Sequence, residues 1–164
     1  MIREILASDA EEYLLLNKKL DNETKFMLYE EEERNTTVED QAKIIDFFLK
    51  SPNSTILVAE KKNKLVGHIG VIGGKLKRVK YTASIAVGVL LEYSNQGIGT
   101  QLFQEMEIWA KNHGLKRLEL TVMSHNNSAI SLYKKMGFEI EGLRKCSLMV
   151  DGKFIDEYSM SKIL

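Results

Sequence analysis

Three apolar, β-branched segments follow one another between residues 55 and 90, and only short polar stretches separate them. They are Thr55–Glu60, Leu65–Ile72 and Tyr81–Leu90, with the turn Lys61-Lys62-Asn63-Lys64 after the first and Gly73-Gly74 after the second. Parallel strands need a crossover of about a dozen residues or more, usually a helix. The spacing therefore predicts consecutive antiparallel hairpins and argues against a run of βαβ units.

Helix and strand patterns alternate on both sides of this block. Apolar residues at helical spacing predict helices from Ser8 to about Leu20, from Thr37 to just before Pro52, over 99–113 and over 128–136. Strands are predicted over 2–6, 117–122, 138–150 and 153–160, and an Asp-Gly turn joins the last two. The order is β-α-α-β-β-β-α-β-α-β-β. It predicts an α/β (α+β) fold, a single domain over residues 1–164 with a mixed, mostly antiparallel central sheet flanked by about four helices.

Composition narrows the classes of partner. The 164 residues suit one domain, and 23 Lys plus Arg balance 23 Asp plus Glu, so there is no basic excess of the kind that nucleic-acid binding uses. The basic stretch Lys75 to Lys80 keeps a nucleic-acid binder as an alternative that the net charge disfavours. No apolar stretch approaches the roughly 20 residues of a membrane helix, and no secretory leader is evident. The single cysteine, Cys146, is expected to be buried and inert, and with no disulfide we expect a cytoplasmic protein without a membrane partner.

The junction between the strand Tyr81–Leu90 and the helix over 99–113 is the first chemical motif. It carries two glycines, which allow a tight turn and close approach of a ligand to the backbone, and free N–H groups at the helix start favour a phosphate. A plain strand-to-helix turn is the alternative. The residues of the motif are Ser94, Asn95, Gln96, Gly97, Ile98, Gly99 and Thr100.

A second motif, N-x-x-A-x-x-L-Y-x-x-x-G-F, runs from Asn126 to Phe138. With the glycine turn about thirty residues upstream, the chain resembles the GNAT superfamily of acetyl-CoA-dependent N-acetyltransferases. The order of predicted elements is also similar to that family over nearly the whole chain. The resemblance implies acetyl transfer from acetyl-CoA to a primary amine of a small molecule or peptide, by direct attack in a ternary complex. A non-catalytic CoA-binding regulatory module of the same fold is the alternative.

The resemblance also implies roles for individual residues. The backbone from Asn95 to Thr100 would hold the pyrophosphate of coenzyme A, and the main chain of Val87, Gly88 and Val89 would pair with the pantetheine arm. Asn126 would hydrogen-bond that arm, and Tyr133 would protonate the leaving thiolate. Ser94 stands where the family usually has Arg or Gln, so one side-chain contact to phosphate is expected to be missing.

Other groups have weaker claims to the chemistry. The strand Tyr81–Leu90 contains no carboxylate that could act as the general base. Glu119 is a candidate, and water that relays the proton to solvent is the default. Acids at Glu23 and Glu30 to Glu33 are expected near the amine, as are Asp156 and Glu157, although solvated or cross-strand paired acids are the simpler interpretation. The histidines show no metal-ligand spacing, so no metal is expected. A homodimer through the final strands, with apolar residues Leu148, Val150, Ile155 and Met160, is predicted from family habit.

Overall fold

The computed structural model describes residues 1–164. Its strands are β1 (Ile2–Glu4), β2 (Thr55–Lys61), β3 (Lys64–Gly73), β4 (Thr82–Val89), β5 (Arg117–Met123), β6 (Glu139–Val150) and β7 (Lys153–Ile163). Its helices are α1 (Ala10–Glu23), α2 (Val38–Lys50), α3 (Ile98–Asn112) and α4 (Asn127–Lys135). The predicted order of elements and the fold class are confirmed, and helix and strand ends differ from the prediction by a few residues.

All the strands form one mixed sheet in the order β1-β2-β3-β4-β5-β7-β6. The pairs β2–β3 and β3–β4 are antiparallel, as the short turns predicted. The pair β4–β5 is parallel and short, running only from Thr82–Arg117 to Ser84–Glu119. β4 therefore continues from residue 85 to 89 without a partner on its β5 side, and the sheet opens there.

Helices cover both faces of the sheet near its centre. Every residue of β3 from Leu65 to Val71 is buried, which requires cover on both faces, and both α1 and α3 contact this strand. The core side of α3 is formed by Leu102, Phe103, Met106 and Ala110, as its apolar spacing predicted. This packing holds the beginning of α3 against the open end of β4.

The β6–β7 hairpin departs from the predictions in one respect. Cys146, expected to be buried, is exposed and has a φ of 51°. It lies where the pairing register shifts between Arg144 and Leu148, and its N–H donates to Asp156 Oδ1 at 2.8 Å. The irregular register turns the thiol outward, so the prediction was wrong.

None of the helices has the length and apolar character needed to cross a membrane.

Candidate active site

The open side of β4 is the first part of the site. Val87, Gly88 and Val89 lie beyond the last β4–β5 pair, so their main chain faces a gap in the sheet. A Cβ at Gly88 would lie 2.7 Å from Leu20 Cδ1, which means that α1 packs directly against this strand. An extended molecule with amide groups can pair along such an edge in place of a strand.

The glycine turn follows directly from this edge. From Asn95 to Thr100 the successive backbone N–H groups donate no hydrogen bond within the chain. Gly97 has a φ of 79° and open space where a Cβ would stand, whereas a Cβ at Gly99 would lie 2.9 Å from Leu132 Cδ2. Gly97 thus serves the turn and Gly99 lets α4 approach α3. Unpaired N–H groups at a helix start are what a phosphate group requires, so these residues fit the phosphates of coenzyme A.

Two polar side chains of this turn, those of Ser94 and Gln96, bond to protein partners. The Ser94 hydroxyl donates to the Leu91 carbonyl at 2.7 Å. The Gln96 amide donates to the Glu92 carbonyl at 3.1 Å, and its oxygen accepts from Lys61 Nζ at 2.7 Å. The turn therefore offers a ligand its backbone and the side chains of Asn95 and Thr100, with Lys61 as a neighbouring cation that the sequence did not indicate.

Tyr133 lies in α4 with 8% of its surface exposed. Its ring packs near Phe103 and Phe138, with centroid distances of 5.6 and 6.3 Å. The hydroxyl has no hydrogen-bond partner in the chain, yet it is not among the fully enclosed polar atoms. Burial raises the pKa of this hydroxyl to about 12, so it remains a proton donor at neutral pH.

Asn126 has a structural role that the sequence prediction did not include. Its side-chain oxygen accepts from the Ala129 N–H at 3.3 Å and caps α4. An Asn directly before a helical pattern is a known signal for this role. The side-chain NH₂ group donates to no group in the chain, so it is free to bind a ligand while the oxygen caps the helix.

A cleft of about 630 Å³ lies between the α1–α2 connection and the β6–β7 turn. Lys25 donates to Asp151 at 2.5 Å and joins the two sides. Glu23, Glu30 and Glu31 line the cleft, whereas Glu32 and Glu33 are not among its lining residues. Apolar residues that sequence analysis did not assign to the cleft also line it. The apolar lining residues are Met27, Leu28, Tyr29, Met123, Leu148, Met149 and Val150.

The remaining acidic candidates lie outside this cleft. Glu119 accepts from Arg117 at 2.9 Å in β5. Asp156 binds the backbone of Cys146, and Glu157 accepts from the Ser147 hydroxyl at 2.8 Å, so both are engaged within the hairpin. The simpler, structural interpretation is the better one for these three carboxylates.

One buried histidine, His68, lies in β3 beside Gly88 of β4. His68 pairs through Nδ1 with the Tyr13 hydroxyl at 3.0 Å, and its Nε2 is enclosed without a hydrogen-bond partner. Burial lowers the pKa of His68 to about 4. A lone histidine in a strand gave no sequence signal for this pair. The chain brings together no group of three His, Cys, Asp or Glu side chains suited to a metal.

Comparison with known proteins agrees with this arrangement. Residues 18–138 match the family model described as the acetyltransferase (GNAT) family. The chain therefore belongs to the GNAT family of acetyltransferases, whose members transfer acetyl groups to amines. The resemblance drawn from the two motifs is confirmed.

Similar proteins include enzymes and solved structures. The L-amino acid N-acetyltransferase AaaT of Escherichia coli (strain K12) is 33% identical over 116 residues, which are 68% of this chain and 70% of AaaT. A GNAT acetyltransferase structure from Streptococcus pneumoniae is 32% identical with a TM-score of 0.97, covering 100% of this chain and 98% of that one. The fold of yncA from Salmonella typhimurium, solved with acetyl-CoA, is similar at a TM-score of 0.89 and 17% identity, covering 100% and 93%.

Proposed function

We propose that this protein transfers the acetyl group of acetyl-CoA to a primary amine of a small molecule or peptide, by direct attack in a ternary complex. The observation that carries the proposal is the run of unpaired N–H groups from Asn95 to Thr100 at the end of the unpaired edge of β4. The N–H groups can bind phosphate, and the adjacent strand edge can pair with an amide-containing arm. This is the order of groups along coenzyme A.

The chain's own groups divide the binding between them. The turn backbone holds the pyrophosphate, and the main chain of Val87, Gly88 and Val89 pairs with the pantetheine amides. The Asn126 side-chain NH₂ donates to the same arm from the β5 side. The Ser94 hydroxyl and N–H both donate to the Leu91 carbonyl, so Ser94 shapes the turn and leaves the phosphate contacts to residues 95–100.

Tyr133 supplies the proton that the reaction needs. As the amine nitrogen forms its bond to the acetyl carbon, the carbon–sulfur bond breaks and leaves a thiolate whose conjugate thiol has a pKa of about 8.5. A tyrosine with a pKa of about 12 is protonated at pH 7 and donates to that sulfur. The amine nitrogen loses a proton to water as it becomes the amide nitrogen. A proton from solvent then restores the tyrosine.

The cleft accepts the amine. Its acids attract a protonated amine, which loses its proton before it attacks. Lys25 is paired with Asp151, and Arg34 beside the cleft donates to Asp21 at 2.6 Å. No cation is left over for an acceptor carboxylate, and this favours amines without an adjacent carboxylate, such as peptide N-termini or polyamines. AaaT, by its name, acts on L-amino acids.

Thermal unfolding and thiol release test the proposal together. Acetyl-CoA at a hundredfold excess over its Kd should stabilise the chain by about 2.7 kcal/mol, and an amine panel should give thiol release. An unchanged Tm across millimolar acetyl-CoA contradicts the proposal. Binding without thiol release for any amine favours the alternative, a non-catalytic regulatory module.

We also propose a cytoplasmic homodimer. Ile155 is only half-buried in the single chain, which supports association through the β6–β7 hairpin, whereas Leu148 and Val150 line the cleft and Met160 is buried in the core. Sedimentation at micromolar concentration tests it, and a pure monomer contradicts it.

A further inference from the structure

The glycine turn lacks a cationic side chain of its own. Ser94, Asn95 and Gln96 are neutral, and the Ser94 hydroxyl is bonded to the Leu91 carbonyl. Phosphates carry a charge that backbone N–H groups neutralise only in part, so Lys or Arg commonly accompanies them. A cation from outside the turn is therefore the missing component of this site.

We propose that Lys61, at the end of β2, supplies this charge and holds the phosphates of the acetyl donor from the side of the β2–β3 turn. This inference rests on the proposed function and names a residue that the family motifs do not include. Lys61 Nζ lies 2.7 Å from Gln96 Oε1 and 5.8 Å from the centre of the Tyr93 ring. It is the only cationic side chain that hydrogen-bonds to residues 93–100.

The β2–β3 turn fixes the position of Lys61. Lys61 pairs with Lys64 across the hairpin, and the two residues between them, Lys62 and Asn63, both have positive φ, of 50° and 59°. This is the tight two-residue turn that matches the twist of its strands. Because Gly67 pairs with Val89, the turn lies at the same end of the sheet as the glycine turn.

The charge of Lys61 is not neutralised by the protein. No carboxylate lies within 4 Å of its Nζ, whereas nearby Lys19 is paired with Glu92 at 2.7 Å. Its partner, the Gln96 oxygen, is neutral and is oriented by the bond from the Gln96 amide to the Glu92 carbonyl. Lys61 is thus a cation placed against the turn with its charge available to an anion.

Calorimetric Kd values for acetyl-CoA test the proposal without relying on turnover. Lys61→Met should weaken binding about tenfold at low salt, and the difference should shrink as salt screens the charge. Lys61→Arg should restore most of the affinity. Lys62→Met is the matched control, since it removes the same charge one residue away, and it should change Kd less than twofold.

Two further measurements separate charge from bracing of the turn. In a Gln96→Ala background, Lys61→Met should still weaken acetyl-CoA binding, because the charge acts on the ligand and not through Gln96. With acetyl-pantetheine, which has no phosphate, kcat/KM should be the same for the unsubstituted chain and for the Lys61→Met variant.

The outcomes that overturn the proposal are distinct from those that overturn the proposed function. If the unsubstituted chain binds acetyl-CoA and Lys61→Met binds it equally well, the role of Lys61 is refuted and the proposed function stands. The role is also refuted if the loss disappears in the Gln96→Ala background. If the unsubstituted chain does not bind acetyl-CoA, both proposals fall.

Discussion

Replacing Tyr133 with phenylalanine separates its chemistry from its packing, because only the hydroxyl is removed. That hydroxyl bonds to no group in the chain, so its loss should cost less than about 1 kcal/mol of folding free energy. If it is the general acid, kcat should fall by about 10²–10⁴-fold, which corresponds to about 3–5 kcal/mol of activation free energy. Acetyl-CoA should bind with unchanged affinity.

Tyr13 provides the matched control. It is also buried, with 6% of its surface exposed, and burial likewise raises its pKa to about 12. Its hydroxyl is bonded to His68 Nδ1, so Tyr13→Phe leaves that buried nitrogen unpaired and should cost about 1–3 kcal/mol. At roughly 2–4 °C per kcal/mol for a chain of this size, the Tm should fall by several degrees while kcat stays unchanged.

The assay is thiol release with any accepted amine, measured well below both Tm values. Acyl donors with a more acidic leaving thiol should narrow the deficit of Tyr133→Phe where chemistry limits the rate. Between pH 7 and about 10, kcat should show no alkaline decline, since a pKa of about 12 keeps the hydroxyl protonated there. An equal kcat for Tyr133→Phe and the unsubstituted chain would refute the acid role and leave Tyr133 as a packing residue.

Two further predictions concern stability. The pKa of His68 is lowered to about 4 from an unfolded value of about 6.5, so the stability it confers is complete above pH 6.5 and is lost as the pH falls toward 4, by about 3 kcal/mol. In urea unfolding, the free energy of unfolding should fall less between pH 7 and pH 4.5 for His68→Leu than for the unsubstituted chain, and equal losses would contradict this. Gly97→Ala should cost about 1–2 kcal/mol, because its φ of 79° disfavours a side chain. Gly142→Ala, which has open space and no positive φ, is the control in thermal unfolding, and equal Tm values for the two variants would refute the argument.

Local signals account for the parts of the fold that the sequence predicted. The turns after β2 and β3 are short, so antiparallel pairing followed directly from their length. The position of β7 between β5 and β6 depends on pairing between distant segments, such as Leu120 with Met160, and has no local signature. Cys146 was misplaced because its burial was expected from the usual behaviour of a lone cysteine, whereas the register shift between Arg144 and Leu148 leaves it exposed.

The candidate site divides in the same way. The glycine turn is a local backbone feature, so its residues were predicted directly. The cleft forms only where residues 21–31 pack near residues 148–151, and Lys61 reaches Gln96 only because the sheet places β2 beside the turn. No local motif predicts either of these contacts. The burial of His68 was equally hidden, because a strand pattern does not reveal which histidine a helix covers.

The short β4–β5 ladder divides the chain in sequence as well as in space. The strands on one side, β1 to β4, all precede residue 90, and those on the other, β5 to β7, all follow residue 116. Apart from that ladder, the two halves meet through contacts such as Lys25 with Asp151 and Phe26 with His125. A molecule lying in the gap would touch both halves along its length. A ligand bound in the gap should therefore make the two halves unfold more cooperatively.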